Sequence, residues 1–243
     1  MLKNKETFTI TAALPYANGP IHIGHLAGVY IPADIYARYK RLTDNEVAFI
    51  CGSDEHGVAI SLASKKASIS PKELIDKYDN IIKTSFEEFG ISFDNYSRTS
   101  KKIHHETSLE LFNTLKEKDL FSLQKSKQFY DTKENQFLAD RYISGDCPIC
   151  NAKDAYGDQC EKCGSTLSPE ELKNPKSTIS DSSPILKETK HYYIKLNEFE
   201  EFLRNWITVE NKDTWKANVT GQVKSWLDSG LKPRAVTRDL DWG

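Results

Sequence analysis

Four of the five cysteines in this chain form two short pairs. Cys147 and Cys150 make one Cys-x-x-Cys turn, and Cys160 and Cys163 make the other. Each such turn directs two thiolates toward one point, so two turns complete a tetrahedral set of four sulfurs that suits Zn²⁺. Gly164 follows the second pair and supplies the positive φ that such a turn needs. The pattern predicts a structural zinc knuckle at residues 144–166 and favours it over an iron–sulfur cluster or free thiols.

The bulk composition is that of an ordinary folded protein. The 243 residues carry a net charge of −2 and are 38% hydrophobic and 28% charged, so no global basic field indicates nucleic acid. No run approaches the roughly 18 apolar residues of a membrane span. Residues 1–5 lead into a strand pattern without an apolar signal segment. We therefore expect a cytoplasmic protein with neither membrane nor DNA as a partner.

The first fifty residues predict a strand, a helix and a second strand. Thr7–Thr11 alternates and is rich in β-branched residues, as strands are. Apolar residues recur at helical spacing over residues 26–41. Residues 46–51 form a nearly continuous apolar run, which suits a parallel strand buried on both faces. This order predicts a right-handed βαβ unit.

A strong helix start follows at Ser70, with Pro71 at the first helical position and Glu73 at the third. The elements predicted for this part of the chain are helices over residues 58–67, 70–89 and 101–118 and a short strand over 93–96.

Beyond Asp119 the pattern changes to short strands with polar turns. The elements predicted there are strands over residues 121–131, 136–143 and 191–196, a loop over 173–188, and helices over 198–206 and 215–227. The fold class is therefore predicted to be α/β, with an α/β unit to about residue 117 followed by an inserted α+β module that carries the metal knuckle.

Two histidines mark the start of the first helix. His22 and His25 are three residues apart, so they share one face of the first turn around Gly24. A helix N-terminus offers unpaired N–H groups and a positive potential, and two imidazoles there can donate to phosphate oxygens. The alternative that the two histidines only cap the helix at the protein surface remains open. A zinc site built on them would need a third ligand, and none lies nearby in the sequence.

A second polar cluster, Asp54, Glu55 and His56, comes directly after the second predicted strand. In open α/β sheets the carboxyl ends of the strands form the ligand edge. A carboxylate there can pair with the ammonium group of a ligand. The alternative is a solvated cluster that caps the next helix.

Two ordered motifs resemble those of a known family. ALPYANGPIHIGH at residues 13–25 resembles the signature of class I aminoacyl-tRNA synthetases, and among them that of the bacterial methionyl-tRNA synthetases. CGSDEHG at residues 51–57 is similar to the next motif of that family, and the cysteine pairs are similar to its zinc-bearing insertion. The resemblance covers essentially the whole chain.

This resemblance implies a role for each matching residue. His22 and His25 would be the catalytic residues that contact the phosphates of ATP, and Gly24 would make room for the nucleotide. Asp54 would take the α-ammonium group of methionine. The other methionine-binding residues would be Ala13, Leu14, Tyr16 and Arg238, the last of these near Asp54 and the substrate carboxylate.

The resemblance also implies a fold and a reaction. Residues 1–117 would form the first half of a Rossmann-like parallel nucleotide-binding fold, residues 118–233 a connective-peptide insertion with the zinc knuckle, and residues 234–243 the return to the nucleotide-binding fold. Methionine would be activated by ATP with Mg²⁺ to methionyl-adenylate and transferred to tRNA(Met). Such chemistry depends on positioning and charge stabilisation. No dedicated carboxylate set for Mg²⁺ is visible.

The chain departs from the family at its end. It stops at Gly243, before the KMSKS-like loop and the anticodon-binding domain that the family would lead us to expect. We therefore expect an N-terminal fragment of a longer enzyme that is inactive alone. Two other interpretations stay open: a class I synthetase for leucine, isoleucine or valine, and a zinc-knuckle module that binds RNA without catalysis.

Overall fold

Three parallel strands form the sheet of the first part of the chain. In this computed structural model, which describes residues 5–165 and 167–242, they are β1 (Thr7–Thr11), β2 (Glu46–Ser53) and β3 (Asn95–Arg98). Their order is β1-β2-β3, and both pairings are parallel. The predicted parallel α/β fold class is therefore confirmed.

The chain divides into two units. The first consists of Met1–Leu109 together with Leu240–Gly243, and the second of Glu110–Asp239. The division at residues 117 and 233 that the sequence suggests stays a prediction.

The helix between β1 and β2 has three parts. α1 (Ile23–His25) passes into a π turn at Leu26–Tyr30 and then into α2 (Ile31–Leu42). A proline inside a helix lacks an N–H donor and clashes with the carbonyl group four residues before it. The wider π turn directly before Pro32 accommodates this clash, so the helix predicted over residues 26–41 continues through the proline.

The remaining helices of this region also lie where the sequence predicts them. They are α3 (Val58–Ala67), α4 (Pro71–Glu88) and α5 (Lys102–Glu117). At the start of α4 the N–H of Glu73 donates to Ser70 Oγ at 3.2 Å, and the N–H of Ser70 donates to Glu73 Oε2 at 2.8 Å. These two bonds form the capping box that the sequence predicts.

The capping box gives a first testable prediction. We expect Ser70→Ala to lower the free energy of unfolding by about 1 kcal/mol, because the N–H of Glu73 loses its acceptor. Thr84→Ala removes a hydroxyl at an exposed position of the same helix and is the matched control. Urea unfolding followed by circular dichroism measures both changes. An equal loss in the two variants would contradict a special role for Ser70.

The core of the first unit covers one face of the sheet. Phe49 and Ile82 are fully buried, and the ring centroids of Tyr30 and Phe86 lie 4.6 Å apart in an edge-to-face arrangement. Ile50, the neighbour of Phe49 in β2, is 37% exposed. Over residues 46–51 the strand is therefore buried on one face, and the prediction of burial on both faces is wrong for this run.

The third strand begins two residues later than predicted. The Phe93 ring packs against Phe49 with a centroid distance of 4.5 Å, and the Asp94 carboxylate accepts the N–H of Phe49 at 2.7 Å. These side chains fix the entry to the strand, and pairing with β2 begins at Asn95.

A long antiparallel pair of strands dominates the second unit. β4 (Phe121–Asp131) has the predicted bounds, and β5 (Gln136–Phe137) follows it. A 3-10 turn at Asp140–Tyr142 then ends the run, so the single strand predicted over residues 136–143 is wrong. The tight turn buries Tyr142 and leads into a separate sheet.

That separate sheet has three short strands. They are β6 (Ile143–Asp146), β7 (Ala155–Tyr156) and β8 (Lys173–Ser177), in the order β7-β6-β8. The predicted loop over residues 173–188 is wrong at both ends, because β8 begins it and β9 (Ile185–Ile194) ends it. β8 tolerates Pro175 because it is an edge strand.

β9 pairs with β4 from Ile185 to Ile194, so it begins six residues before the predicted strand. β10 (Arg234–Ala235) completes the larger sheet in the order β10-β9-β4-β5. The other elements of this unit are 3-10 turns at Pro169–Glu171 and Leu196–Phe199, α6 (Glu200–Asn205), a π turn at Trp206–Glu210, and α7 (Ala217–Asp228). Within the described residues, no helix is both long and apolar enough to cross a membrane.

Candidate functional site

The stretch between β1 and α1 turns its candidate residues toward solvent. Ala12, Pro15 and Ala17 are buried. The hydroxyl of the buried Tyr30 donates to the carbonyl of Ala13 at 2.9 Å and anchors the backbone there. The exposed residues of this stretch and of α1 include Ala13, Leu14, Tyr16, His22, Gly24 and His25. All six predicted site residues of this stretch are thus accessible to a ligand.

His22 and His25 cap the helix through one nitrogen each. The N–H of Gly24 donates to Nδ1 of His22 at 3.1 Å, and the N–H of His22 donates to Nδ1 of His25 at 3.2 Å. A neutral imidazole that accepts at Nδ1 carries its proton on Nε2. The two ring centroids are 3.9 Å apart, so two Nε2–H donors stand side by side at the start of the helix. Capping and anion binding are therefore compatible in this geometry, because they use different nitrogens.

Gly24 has a structural reason to be glycine. A Cβ at this position would lie 2.9 Å from Cε1 and 3.0 Å from Nδ1 of His22. Any larger residue would push that imidazole away from the N–H group it caps. Gly24 therefore allows His22 to keep its orientation. This adds to the role that the family resemblance implies for Gly24, which is to leave room for a nucleotide.

Asp54 is joined to this stretch through the backbone. Its N–H donates to the carbonyl of Pro15 at 2.8 Å, and its own carbonyl accepts the N–H of Ala17 at 2.9 Å. The Asp54 carboxylate, with burial as a second cause, raises the pKa of Tyr16. The structure thus brings Asp54 and Tyr16 together at the carboxyl end of the parallel sheet, where ligands of open α/β sheets bind.

A hollow of about 170 Å³ lies at the same edge of the sheet. Leu14 is the one predicted methionine-binding residue among its lining groups, which do not include Ala13 or Tyr16. The lining also contains Ile50, Cys51, Arg98 and His104. The sequence gives no sign of the last two, because they come from β3 and α5, which no motif connects to the first strand.

Arg238 lies in the second unit. Its side chain is exposed, and Nη1 donates to the carbonyl of Thr237 at 3.0 Å. The neighbouring Asp239 binds the hydroxyl of Thr189 at 2.5 Å and lies 3.1 Å from Nε2 of the buried His191. These contacts hold the segment that bears Arg238 against β9. The pairing of Arg238 with Asp54 stays a prediction.

The sequence patterns do not show which groups hold the Asp54 loop, residues 54–57 between β2 and α3. Glu55 and Ser53 are fully buried, and Arg98 binds the Glu55 carboxylate at 2.6 Å. Trp242 donates from its indole N–H to the carbonyl of Glu55 at 2.6 Å. Ser53, Asp54 and Glu55 are all polar, so the sequence carries no signal that separates their directions; only the structure shows that Asp54 is half-buried between two buried neighbours.

The four clustered cysteines converge on one point. Sγ of Cys147 lies 3.9 Å from Sγ of Cys163, and Sγ of Cys150 lies 3.7 Å from Sγ of Cys160. All four sulfurs lie within 4.8 Å of one another. A tetrahedron of sulfurs around Zn²⁺ at Zn–S distances of about 2.3 Å has edges of about 3.8 Å. The cluster fits a tetrahedral metal ion.

Two matching backbone turns present these sulfurs. The N–H of Asn151 donates to the carbonyl of Cys147 at 3.0 Å, and the N–H of Gly164 donates to that of Cys160 at 2.8 Å. Asn151 has φ +55° and Gly164 has φ +74°, so each turn ends in the left-handed region, as the sequence predicts for Gly164.

The surroundings of two of the four sulfurs favour the thiolates that bind metals, whereas burial and the neighbouring thiols raise the pKa of Cys150 to about 11. The hydroxyl of Ser165, followed by its backbone N–H, lowers the pKa of Cys163 to about 6. The backbone N–H of Cys150 lies 3.5 Å from Sγ of Cys147 and lowers the pKa of that thiol. The site is therefore able to hold a metal ion with four protein ligands.

The amino-acid sequence from residue 8 to residue 243 matches the family model of the tRNA synthetases class I (M). The chain belongs to this family. Its membership agrees with the parallel sheet, with the histidine pair at the helix start and with the four-cysteine cluster.

Curated relatives with high sequence identity to this chain are named methionine–tRNA ligases. The methionine–tRNA ligase of Flavobacterium johnsoniae is 64% identical over 243 residues, which is 100% of this chain and 34% of the relative. The methionine–tRNA ligase of Bacteroides fragilis is 61% identical over 243 residues, covering 100% of this chain and 36% of the relative. The chain thus spans about a third of the length of these family members.

A solved structure shares the fold. Mycobacterium tuberculosis methionyl-tRNA synthetase in complex with methionyl-adenylate superimposes with a TM-score of 0.71 at 23% identity, covering 98% of this chain and 42% of that one. This likeness supports the architecture of the family.

Proposed function

We propose that this chain is the N-terminal part of a methionine–tRNA ligase. The observation that carries the proposal is the arrangement of groups at one sheet edge: two Nε2–H donors of His22 and His25 at a helix start, and the Asp54 carboxylate after the next strand. The names of the curated relatives support the choice of methionine.

The first step would form methionyl-adenylate. A carboxylate oxygen of methionine attacks the α-phosphorus of ATP, the bond from that phosphorus to the β-phosphate oxygen breaks, and pyrophosphate leaves. The imidazoles donate to the phosphate oxygens that gain charge, while Asp54 holds the α-ammonium group of methionine. Mg²⁺ would accompany ATP as part of the substrate.

The second step would charge the tRNA. A terminal ribose hydroxyl of tRNA(Met) attacks the carbonyl carbon of the adenylate and loses its proton, the bond from that carbon to the phosphate oxygen breaks, and AMP leaves. The residues that position the amino acid are proposed to be Ala13, Leu14, Tyr16, Asp54 and Arg238.

The four cysteines would hold Zn²⁺ as a structural ion. The sulfur-to-sulfur distances support tetrahedral coordination, and all four ligands come from the protein, so no position is open to a substrate. The zinc would stabilise the small β6–β8 sheet from which both turns project.

The proposal predicts methionine-dependent exchange of pyrophosphate into ATP by the full-length protein. The exchange is measured with labelled pyrophosphate and each of methionine, leucine, isoleucine and valine. We expect methionine to support a rate at least about a hundredfold above the others, because a site fitted to its substrate discriminates by that order. A preference for a branched amino acid would assign another class I synthetase. No exchange, with retained RNA binding, would indicate a binding module.

A further inference from the structure

We infer that Glu55 is a positioning residue for the Asp54 carboxylate, an inference that rests on the proposed function. Glu55 follows Asp54 and is fully buried, whereas Asp54 is half-buried at the sheet edge. Consecutive residues in extended backbone point to opposite sides. Fixing Glu55 below the loop therefore fixes the direction in which Asp54 leaves it.

Every polar group of Glu55 is engaged. Oε1 accepts from Nε of Arg98 at 2.6 Å and from the hydroxyl of Ser53 at 2.8 Å. Oε2 accepts from the hydroxyl of Ser100. The backbone N–H donates to Oγ1 of Thr99 at 2.9 Å. The partners belong to β2 and to the end of β3, so the carboxylate joins the Asp54 loop to two strands.

Arg98 is itself anchored on α4. Its Nη2 donates to Asp76 at 2.7 Å, and its Nε lies 3.6 Å from Asp79. Ser53 donates to Asp79 as well, at 2.8 Å, when its hydroxyl is not turned to Glu55. The guanidinium therefore keeps a charged partner even if Glu55 is neutralised, so this substitution does not leave a buried cation alone.

Trp242, in the second chain segment of the first unit, also holds the Asp54 loop. Its indole N–H donates to the carbonyl of Glu55, and its own carbonyl accepts the N–H of Gly57 at 3.1 Å. The His56 ring lies 5.9 Å from the Trp242 ring. The loop is thus fixed at Asp54 itself, by the backbone bonds to Pro15 and Ala17, and directly after it, by the contacts of Glu55.

The test is Glu55→Gln in the full-length protein, assayed by methionine-dependent exchange. Glutamine keeps the shape but not the charge that holds Arg98. We expect KM for methionine to rise about tenfold while kcat and KM for ATP change less than about twofold, because a small displacement of one positioning group weakens binding of that substrate alone.

Asp76→Asn is the matched control. It removes another carboxylate from Arg98 but touches no part of the loop, and we expect KM for methionine to stay within about twofold of the wild-type value. Should Glu55→Gln fail to fold, Ser100→Ala removes one donor to the same carboxylate and is expected to raise KM for methionine about threefold. An unchanged KM in whichever of these two variants folds, or an equal rise in Asp76→Asn, overturns the inference.

Hydrogen exchange separates this inference from the proposed function. In Glu55→Gln the backbone N–H groups of residues 54–57 should exchange at least about tenfold faster than in Asp76→Asn, whatever the substrate. Wild-type protein without methionine-dependent exchange, but with this faster loop exchange in the variant, would overturn the proposed function and leave the positioning of the loop standing. Unchanged exchange at these groups overturns the positioning role itself.

Discussion

Replacing Cys160 with serine is expected to release the metal ion proposed for the four-cysteine cluster and to unfold the small sheet of the second unit. Cys160 is 1% exposed and completes the sulfur tetrahedron. Structural zinc sites contribute roughly 10–16 kcal/mol of apparent binding free energy at pH 7, most of which is folding free energy of the residues around them. The metal content, measured by mass spectrometry of the purified protein, should fall from one equivalent to near none.

The local structure should be lost together with the metal. Besides the cysteines, the sheet of β6, β7 and β8 and its connecting turns bury few apolar side chains, so without the ion this region has only a small core. Among the described residues these side chains are Tyr142, Ile143, Ala152, Ala155, Leu167 and Leu172. Limited proteolysis should cut within residues 143–177 in the variant and spare this region in the wild-type protein.

Cys51→Ala is the matched control for the metal. Cys51 lies in the core of the first unit and is not one of the four clustered cysteines, so its removal should leave one equivalent of metal in place. A colourless protein with one zinc supports the proposed ion, whereas visible absorption with iron would assign an iron–sulfur cluster. Full metal content in Cys160→Ser would contradict coordination by this residue.

The sequence predicts best where a local pattern and its burial agree. β4 has the predicted bounds, and so does α3. The capping box at Ser70 sets the start of α4, because both of its hydrogen bonds are formed between residues three apart. Such elements depend on contacts along the chain, which periodicity and capping residues report directly.

The sequence predicts less well the strands whose pairing partners are distant in the chain. β9 carries Lys187, Glu188 and Lys190 on exposed positions, so its first half shows no apolar alternation and resembles a loop. It is a strand because β4 supplies hydrogen-bond partners from Tyr130 to Phe121. A single sequence does not show which strand will be opposite, and here pairing decides the structure.

The candidate site shows the same contrast between residues that a local pattern reveals and residues that depend on a distant partner. The exposed histidines and Asp54 are visible in the sequence because they interrupt strand and helix patterns at the ligand edge of a βαβ unit. Glu55 looks like one more member of a polar loop, yet it is fully buried against Arg98, which is 43 residues away in the chain. Burial of a charge depends on a partner that the local pattern does not name.

Replacing His22 with asparagine is expected to lower kcat for methionine-dependent exchange by about 10²–10³-fold in the full-length protein. His22 is the N-cap residue, and its Nδ1 accepts the N–H of Gly24. Asparagine is a favoured N-cap whose oxygen can take over this bond. The variant therefore keeps the cap and loses only the Nε2–H donor, and loss of one such donor to a charged transition state costs that order in rate.

KM for methionine should stay within about twofold of the wild-type value, because Asp54 and Tyr16 are held by their own backbone bridge. The thermal midpoint should be unchanged, since the first helical turn keeps its acceptor. His105→Asn makes the same change at another exposed imidazole of the first unit and should leave the exchange rate within about twofold. A His22→Asn variant that retains more than half of kcat would limit His22 to capping. If the variant loses both kcat and thermal stability, His22 acts through the helix cap and not as a donor to the phosphate.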